Sequence, residues 1–252
     1  MRVYVGCCGF AKGMKTYFSQ YDTIEIQKTF YKLQRASTIE KWRSLAPENF
    51  IFNIKVFQGI THDVKSPTWK RSGIENYKEL SGKVGYLRPT NEVFEYWEKM
   101  LEYARILKAR VLVIQLPASF KDSVENWNNA SRFFGNISRE NFLIGIELRG
   151  WNSESVGKFC RRFELIDVCD LFIREPLNIV DGVAYFRLHG RYEGSRINYK
   201  YRYTSQELEQ LLTKIFKLEK RGVEEIYVMF NNVYMADNAL ELKALLKSRY
   251  GL

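Results

Sequence analysis

Short apolar runs alternate along the chain with longer stretches of helical period. Runs at 2–6 (RVYVG), 23–27 (TIEIQ), 50–56 (FIFNIKV), 111–116 (VLVIQL), 142–148 (FLIGIEL), 165–173 (LIDVCDLFI), 183–189 (VAYFRLH) and 226–231 (IYVMFN) have the length and the β-branched and aromatic content of buried strands. The run 165–173 shows the pattern most weakly. Between the strands, Val93, Phe94, Trp97, Met100, Leu101, Ala104 and Leu107 fall on one helical face, and so do Leu208, Leu211, Leu212, Ile215 and Leu218. Ser37 with Glu40 and Thr204 with Glu207 have capping-box spacing, and Asn91 opens a third helix after Pro89. Eight such alternations in 252 residues predict a closed parallel (β/α)8 TIM barrel. It is expected to be a single domain, 1–252, with a basic insertion at about 65–90. An open doubly wound sheet is the alternative, and no glycine-rich dinucleotide fingerprint supports it.

Parity sorts each strand into two faces. Ile24 and Ile26 oppose Glu25 and Gln27; Phe52, Ile54 and Val56 oppose Asn53 and Lys55; Ile144, Ile146 and Leu148 oppose Glu147 and Arg149. Phe186 and Leu188 oppose Arg187 and His189, with Arg191 continuing the polar alternation, and Val228 and Phe230 oppose Asn231. Covering helices need an apolar surface beneath them, so the polar set is expected to face the barrel interior. It lies toward the C-terminal strand ends, where barrel enzymes build their sites.

The charge balance adds an expectation about ligands. Lys and Arg number 39 against 29 Asp and Glu, a formal charge of +10 that favours an anionic partner, either nucleic acid or a phosphorylated small molecule. Cys7, Cys8, Cys160 and Cys169 contain no C-x-x-C, so they are expected to be reduced, mostly buried thiols. No apolar run approaches the roughly 18 residues of a membrane span, and "RVYVGCCGF" is no signal-peptide core. The expected location is the cytoplasm.

The segments VGCCGF, TIEIQKTFYKL, FIFNIKVFQGITH, VLVIQLPASF, IGIELRGW, AYFRLHGR, YKYRY and FNN followed by DNA, in this order, resemble the YecE-like family, domain of unknown function 72. The resemblance spans residues 1 to about 245. It implies a TIM barrel and, at the level of fold alone, kinship with barrels of the endonuclease IV and sugar-isomerase type. It implies a site more firmly than a reaction.

From the residues themselves, Lys55, Arg149, Arg187 and Arg191 supply four cations suited to phosphate or carboxylate. Glu25, Glu147 and His189 are the candidate acid–base groups, His189 because an unperturbed imidazole titrates at about 6.5. Gln115, Asn231 and Asn232 are candidates to orient a ligand by hydrogen bonds, and His62 to join from the loop after the third strand. An inert lumen in which carboxylates and cations only neutralise one another is the competing reading. Two histidines are too few for a three-zinc site, which leaves a magnesium or manganese ion held by Glu25, Glu147 and substrate phosphates as the metal arrangement in question. Two loops interleave basic and aromatic residues. One is 65–90, with Lys65, Lys70, Arg71, Lys78, Lys83 and Arg88 among Trp69, Tyr77 and Tyr86; the other follows the seventh strand, with Arg191, Arg196, Lys200 and Arg202 among Tyr192, Tyr199, Tyr201 and Tyr203. Such a mixture suits single-stranded or distorted nucleic acid; a solvated lid is the plainer reading. The function expected is therefore phosphoester hydrolysis, most directly by a nuclease. The alternatives are an isomerase-like enzyme on a small phosphorylated sugar or acid, and a binding protein without catalysis.

Overall fold

The computed structural model describes residues 1–194 and 196–251. In chain order the elements are β1 (Arg2–Cys8), α1 (Met14–Gln20), β2 (Thr23–Ile26), α2 (Lys28–Tyr31), α3 (Ala36–Leu45), β3 (Ile51–Lys55), α4 (Gln58–Thr61), α5 (Asn91–Leu107), β4 (Val111–Leu116), α6 (Val124–Asn136), β5 (Leu143–Leu148), α7 (Ser153–Arg162), β6 (Ile166–Asp167), β7 (Val183–Leu188), β8 (Arg191–Glu193), β9 (Arg196–Asn198), α8 (Ser205–Lys217), β10 (Glu225–Phe230) and α9 (Met235–Tyr250). Eight strands share one sheet in the order β6-β5-β4-β3-β2-β1-β10-β7, and β8 with β9 forms a separate hairpin. Beyond β6 the chain bridges β7 in parallel at Cys169 and Phe186, so the two ends of that order meet. This is (β/α)8 TIM-barrel topology. β4, β5, β7 and β10 are buried along their whole length, as parallel strands covered on both faces must be.

The chain gathers into two compact units, Met1–Glu25 with Leu45–Ile51 and Ile166–Leu252, and Ile26–Ser44 with Phe52–Leu165. In the first, β1 pairs with β2 and β10, and β10 with β7. One face of these strands carries a stack of Tyr4, Tyr227 and Tyr185, with ring centroids 5.3 and 5.6 Å apart. In the second, β4 pairs with β3 and β5, and Trp97, Met100 and Phe133 belong to a buried core under α5 and α6. All four cysteines are buried thiols.

Several local expectations change. The sixth apolar run keeps a regular strand only at Ile166–Asp167, because the Asp167 carboxylate accepts from Arg174 and from Leu177 N and folds the following residues into a turn. Ser37 does not cap α3: the helix has already begun at Ala36, and Thr38 N bonds Arg35 O. The Thr204–Glu207 box forms in full, and Thr90 caps the helix that opens at Asn91. On α5, Phe94 is only half-buried while Tyr103 is buried, its hydroxyl donating to Gln34 O.

The basic segment 65–90 folds into two short 3₁₀ turns, Pro67–Arg71 and Tyr77–Leu80. Its lysines are exposed, but Trp69 is buried, stacks on Tyr77 and donates to His62 O. Trp69 is thus part of the core and offers no face to a ligand, contrary to the expectation from its basic neighbours.

Candidate functional site

The strand period places Tyr185, Arg187 and His189 on one face of β7 and its continuation. Arg187 is 1% exposed and lies 3.1 Å from one oxygen of Glu25, which is itself fully buried. The other Glu25 oxygen accepts from the Tyr185 hydroxyl at 2.9 Å. Burial, with Glu25 beside it, pushes the Tyr185 phenol well above its usual value, so Tyr185 remains the donor. Glu25 serves as counter-ion to Arg187, with both of its oxygens engaged.

His189, 2% exposed, follows the end of β7 and meets the Tyr199 ring edge-on at 6.1 Å. The alternation stops there. Gly190 has φ +107, and a Cβ at this position would stand 2.3 Å from Asn198 O, so only glycine lets the chain turn into the hairpin. Arg191 consequently does not join Arg187 and His189 on the inner face: it is exposed in β8, 5.8 Å over the Tyr201 ring. Tyr203 is buried as well, stacked on Phe172, donating to Gly190 O and accepting from Gly190 N. Tyr201 is half-buried and donates to Glu207 at 2.6 Å, which raises its pKa. Asn231 binds Leu188 O through its backbone. Asn232 is buried and donates from Nδ2 to Tyr201 O and Asn238 Oδ1, while its own Oδ1 has no hydrogen-bond partner among the described residues.

Sequence reasoning missed three contributors in this unit. Asn238 holds the hairpin base through Tyr203 N and O; it lies in the DNA triplet that the resemblance contained. Tyr185 had no polar signal beyond its hydroxyl. Asp170 is buried with Oδ1 accepting from Phe172 N, and the Cys169–Phe186 bridge puts it in register with Arg187. An aspartate inside an apolar run was the available clue.

The second unit brings together Lys55, Gln115, Glu147, Arg149 and His62. Lys55 ends β3, donates from Nζ to Gln115 Oε1 at 2.9 Å and sits 3.8 Å over the Phe30 ring. Gln115 and Glu147 are paired positions of β4 and β5, and Arg149 binds the Glu147 carboxylate at 2.5 Å. His62 is buried, with Nδ1 2.7 Å from Thr61 Oγ1 and its ring edge-on to Phe30 at 5.0 Å. Burial first, then Lys55 and Arg149, lower its pKa to about 3. His62 is therefore a neutral hydrogen-bonding group at physiological pH.

Stability depends on pH through this ring. Between the unfolded value of about 6.5 and the folded value of about 3, the unfolded state carries one more proton on His62. The stability contributed by the neutral ring is complete above pH 6.5 and falls by about 1.4 kcal/mol per pH unit below it. His62→Gln is expected to remove that slope from urea unfolding between pH 7 and 5. Equal pH dependence in the variant and the parent would contradict a neutral buried His62.

Among the described residues, no group of three or more His, Cys, Asp or Glu is arranged to hold a metal ion. No described helix is long and apolar enough to cross a membrane.

Known proteins share both the sequence and the fold. The chain is 25% identical to the UPF0759 protein YunF of Bacillus subtilis (strain 168), over 95% of this chain and 88% of that protein. A crystal structure of a DUF72 family protein of Enterococcus faecalis V583 matches 99% of this chain and 97% of its own, with a TM-score of 0.72 and 18% identity. Endonuclease IV of Thermus thermophilus matches 98% of both chains with a TM-score of 0.55 and 11% identity. At these identities the two structures establish the fold alone. The family described as "Protein of unknown function DUF72" matches residues 3–252, and the chain belongs to it.

Proposed function

We propose that the protein binds and hydrolyses phosphate esters in nucleic acid, with the first unit supplying the chemistry at the C-terminal end of β7. The observation that carries this reading is the hairpin after Gly190. It presents Arg191, Arg196 and Lys200 to solvent with Tyr192 and Tyr199, and Tyr199 touches the buried His189. Arg196 and Lys200 have no ion pair among the described residues, so their charge is offered outward. His189 is the group to move a proton between water and the ester oxygen. Arg187, fixed by Glu25, and Arg191 offset the charge that develops on phosphate. Asn231, Asn232 and Tyr201 orient the ligand. Lys55, Gln115, Arg149 and His62 are assigned to phosphate in the second unit, and Glu147 is a further candidate base. The endonuclease IV of T. thermophilus shares this fold, which supports the reading by analogy only. A cytoplasmic location fits such a substrate.

The test is binding of labelled single-stranded and duplex oligonucleotides at two salt concentrations, with and without magnesium or manganese, followed by a gel for cleavage. Binding that weakens steeply with salt, and cleavage with or without the added ion, is expected. A shallow salt dependence would shift the assignment to a small phosphorylated sugar or acid. Binding without turnover would leave a binding protein.

A further inference from the structure

We infer that Tyr199, Val233 and Tyr234 form a stacking surface for unpaired bases, so that the ligand is a single-stranded or locally opened segment and not an intact duplex. The inference rests on the nucleic-acid reading above and names the form of nucleic acid. Elsewhere among the described residues the exposed large hydrophobics, Leu45, Val124, Ile173 and Tyr250, belong to four separate segments of the chain. Eight large hydrophobic side chains are exposed among the described residues, and four of them, Tyr192, Tyr199, Val233 and Tyr234, sit in the hairpin and the turn between β10 and α9. The two segments are joined: Val233 N bonds Tyr199 O at 2.8 Å, and the Arg202 guanidinium stands 5.8 Å over the Tyr234 ring. Val233 is 64% exposed, Tyr199 40% and Tyr234 39%.

Cations alone would suit a duplex backbone. In a duplex, however, the base faces are covered by their own neighbours, and an aliphatic side chain set among phosphate-binding groups would remain in water. Unstacked bases present apolar faces that bury this surface while Arg191, Arg196, Lys200 and Arg202 follow the phosphates. An anionic membrane would also attract the cations, but a surface-bound segment carries Trp, Phe and Leu along one amphipathic face, and the exposed large hydrophobics of this patch are one aliphatic residue, Val233, and tyrosines.

The experiment uses the full chain and fluorescence anisotropy with a labelled mixed-sequence single strand, the duplex of the same sequence, and phosphatidylserine-containing vesicles. Val233→Ser and Tyr234→Ala are each expected to weaken single-strand binding by roughly 10-fold. Duplex binding should stay within about 3-fold of the parent, and the salt slope should not change. Tyr199→Phe, which keeps the ring, is expected to retain affinity where Tyr199→Ala loses it, and circular dichroism verifies that each variant is folded. Equal affinity of parent and variants for the single strand, with binding still steep in salt, would overturn the inference while the phosphate reading stands. Saturable vesicle binding lost in Val233→Ser would overturn it in favour of a lipid surface. Absence of any oligonucleotide binding at low salt would overturn both.

Discussion

Glu25→Ala is expected to destabilise the protein by about 3–5 kcal/mol, because it leaves a buried guanidinium without its carboxylate. Arg187 lies 3.1 Å from Glu25, and neither side chain reaches solvent to any useful degree. Removing the carboxylate also strips the Tyr185 hydroxyl of its acceptor inside the same layer. Glu25→Gln keeps the shape and the bond from Tyr185 while losing the charge, so its cost should be smaller than that of alanine. The pair Glu25→Leu with Arg187→Met removes both charges together and should recover much of the loss, since apolar replacement of a whole buried pair is often neutral. Urea unfolding of the three variants reads this directly. A cost below about 1 kcal/mol for Glu25→Ala would show that Arg187 is sufficiently held without Glu25.

His189→Ala is expected to lower phosphoester turnover by roughly 10²–10⁴-fold, the usual contribution of a positioned acid or base. The imidazole is enclosed at the end of β7 with Tyr199 as its neighbour. It is aimed by the strand and by the turn at Gly190, not by a flexible loop. The phosphate-binding groups are on other residues, so oligonucleotide affinity and its salt slope should be nearly unchanged in the same variant. Single-turnover cleavage measured beside anisotropy separates the two effects. Unchanged turnover in His189→Ala would move the acid–base role elsewhere, with Glu147 and Asp170 the next residues to replace.

Much of the fold was legible because its signal is physical periodicity. A strand alternates with period two, so Glu25, Lys55, Glu147 and Arg187 could be separated from their apolar neighbours, and in each unit the polar residues do meet other polar partners. The alternation could not reveal where it ends. Arg191 reads as the next inward position until the positive φ of Gly190 turns the chain, and that turn depends on Asn198 eight residues later. Basic and aromatic interleaving was ambiguous in the same way. Trp69 and Tyr203 are core while Tyr199 and Tyr192 are exposed, and nothing adjacent in sequence distinguishes them. The sixth strand ended early because Asp167 recruits Arg174 and Leu177, a contact between residues seven and ten positions apart. Val233 carried no signal, since one valine in a turn is read as either buried or exposed with equal ease.

The salt dependence of single-strand binding tests the assignment of the hairpin to phosphate most directly. The slope of log Kobs against log salt should be steep for the parent. It should become shallower by about 0.7 for each of Arg196→Ala and Lys200→Ala, with affinity falling alike for every sequence tried. A slope that stays the same in both variants would mean that the exposed cations of the hairpin do not touch phosphate, and the proposed function would fall with them.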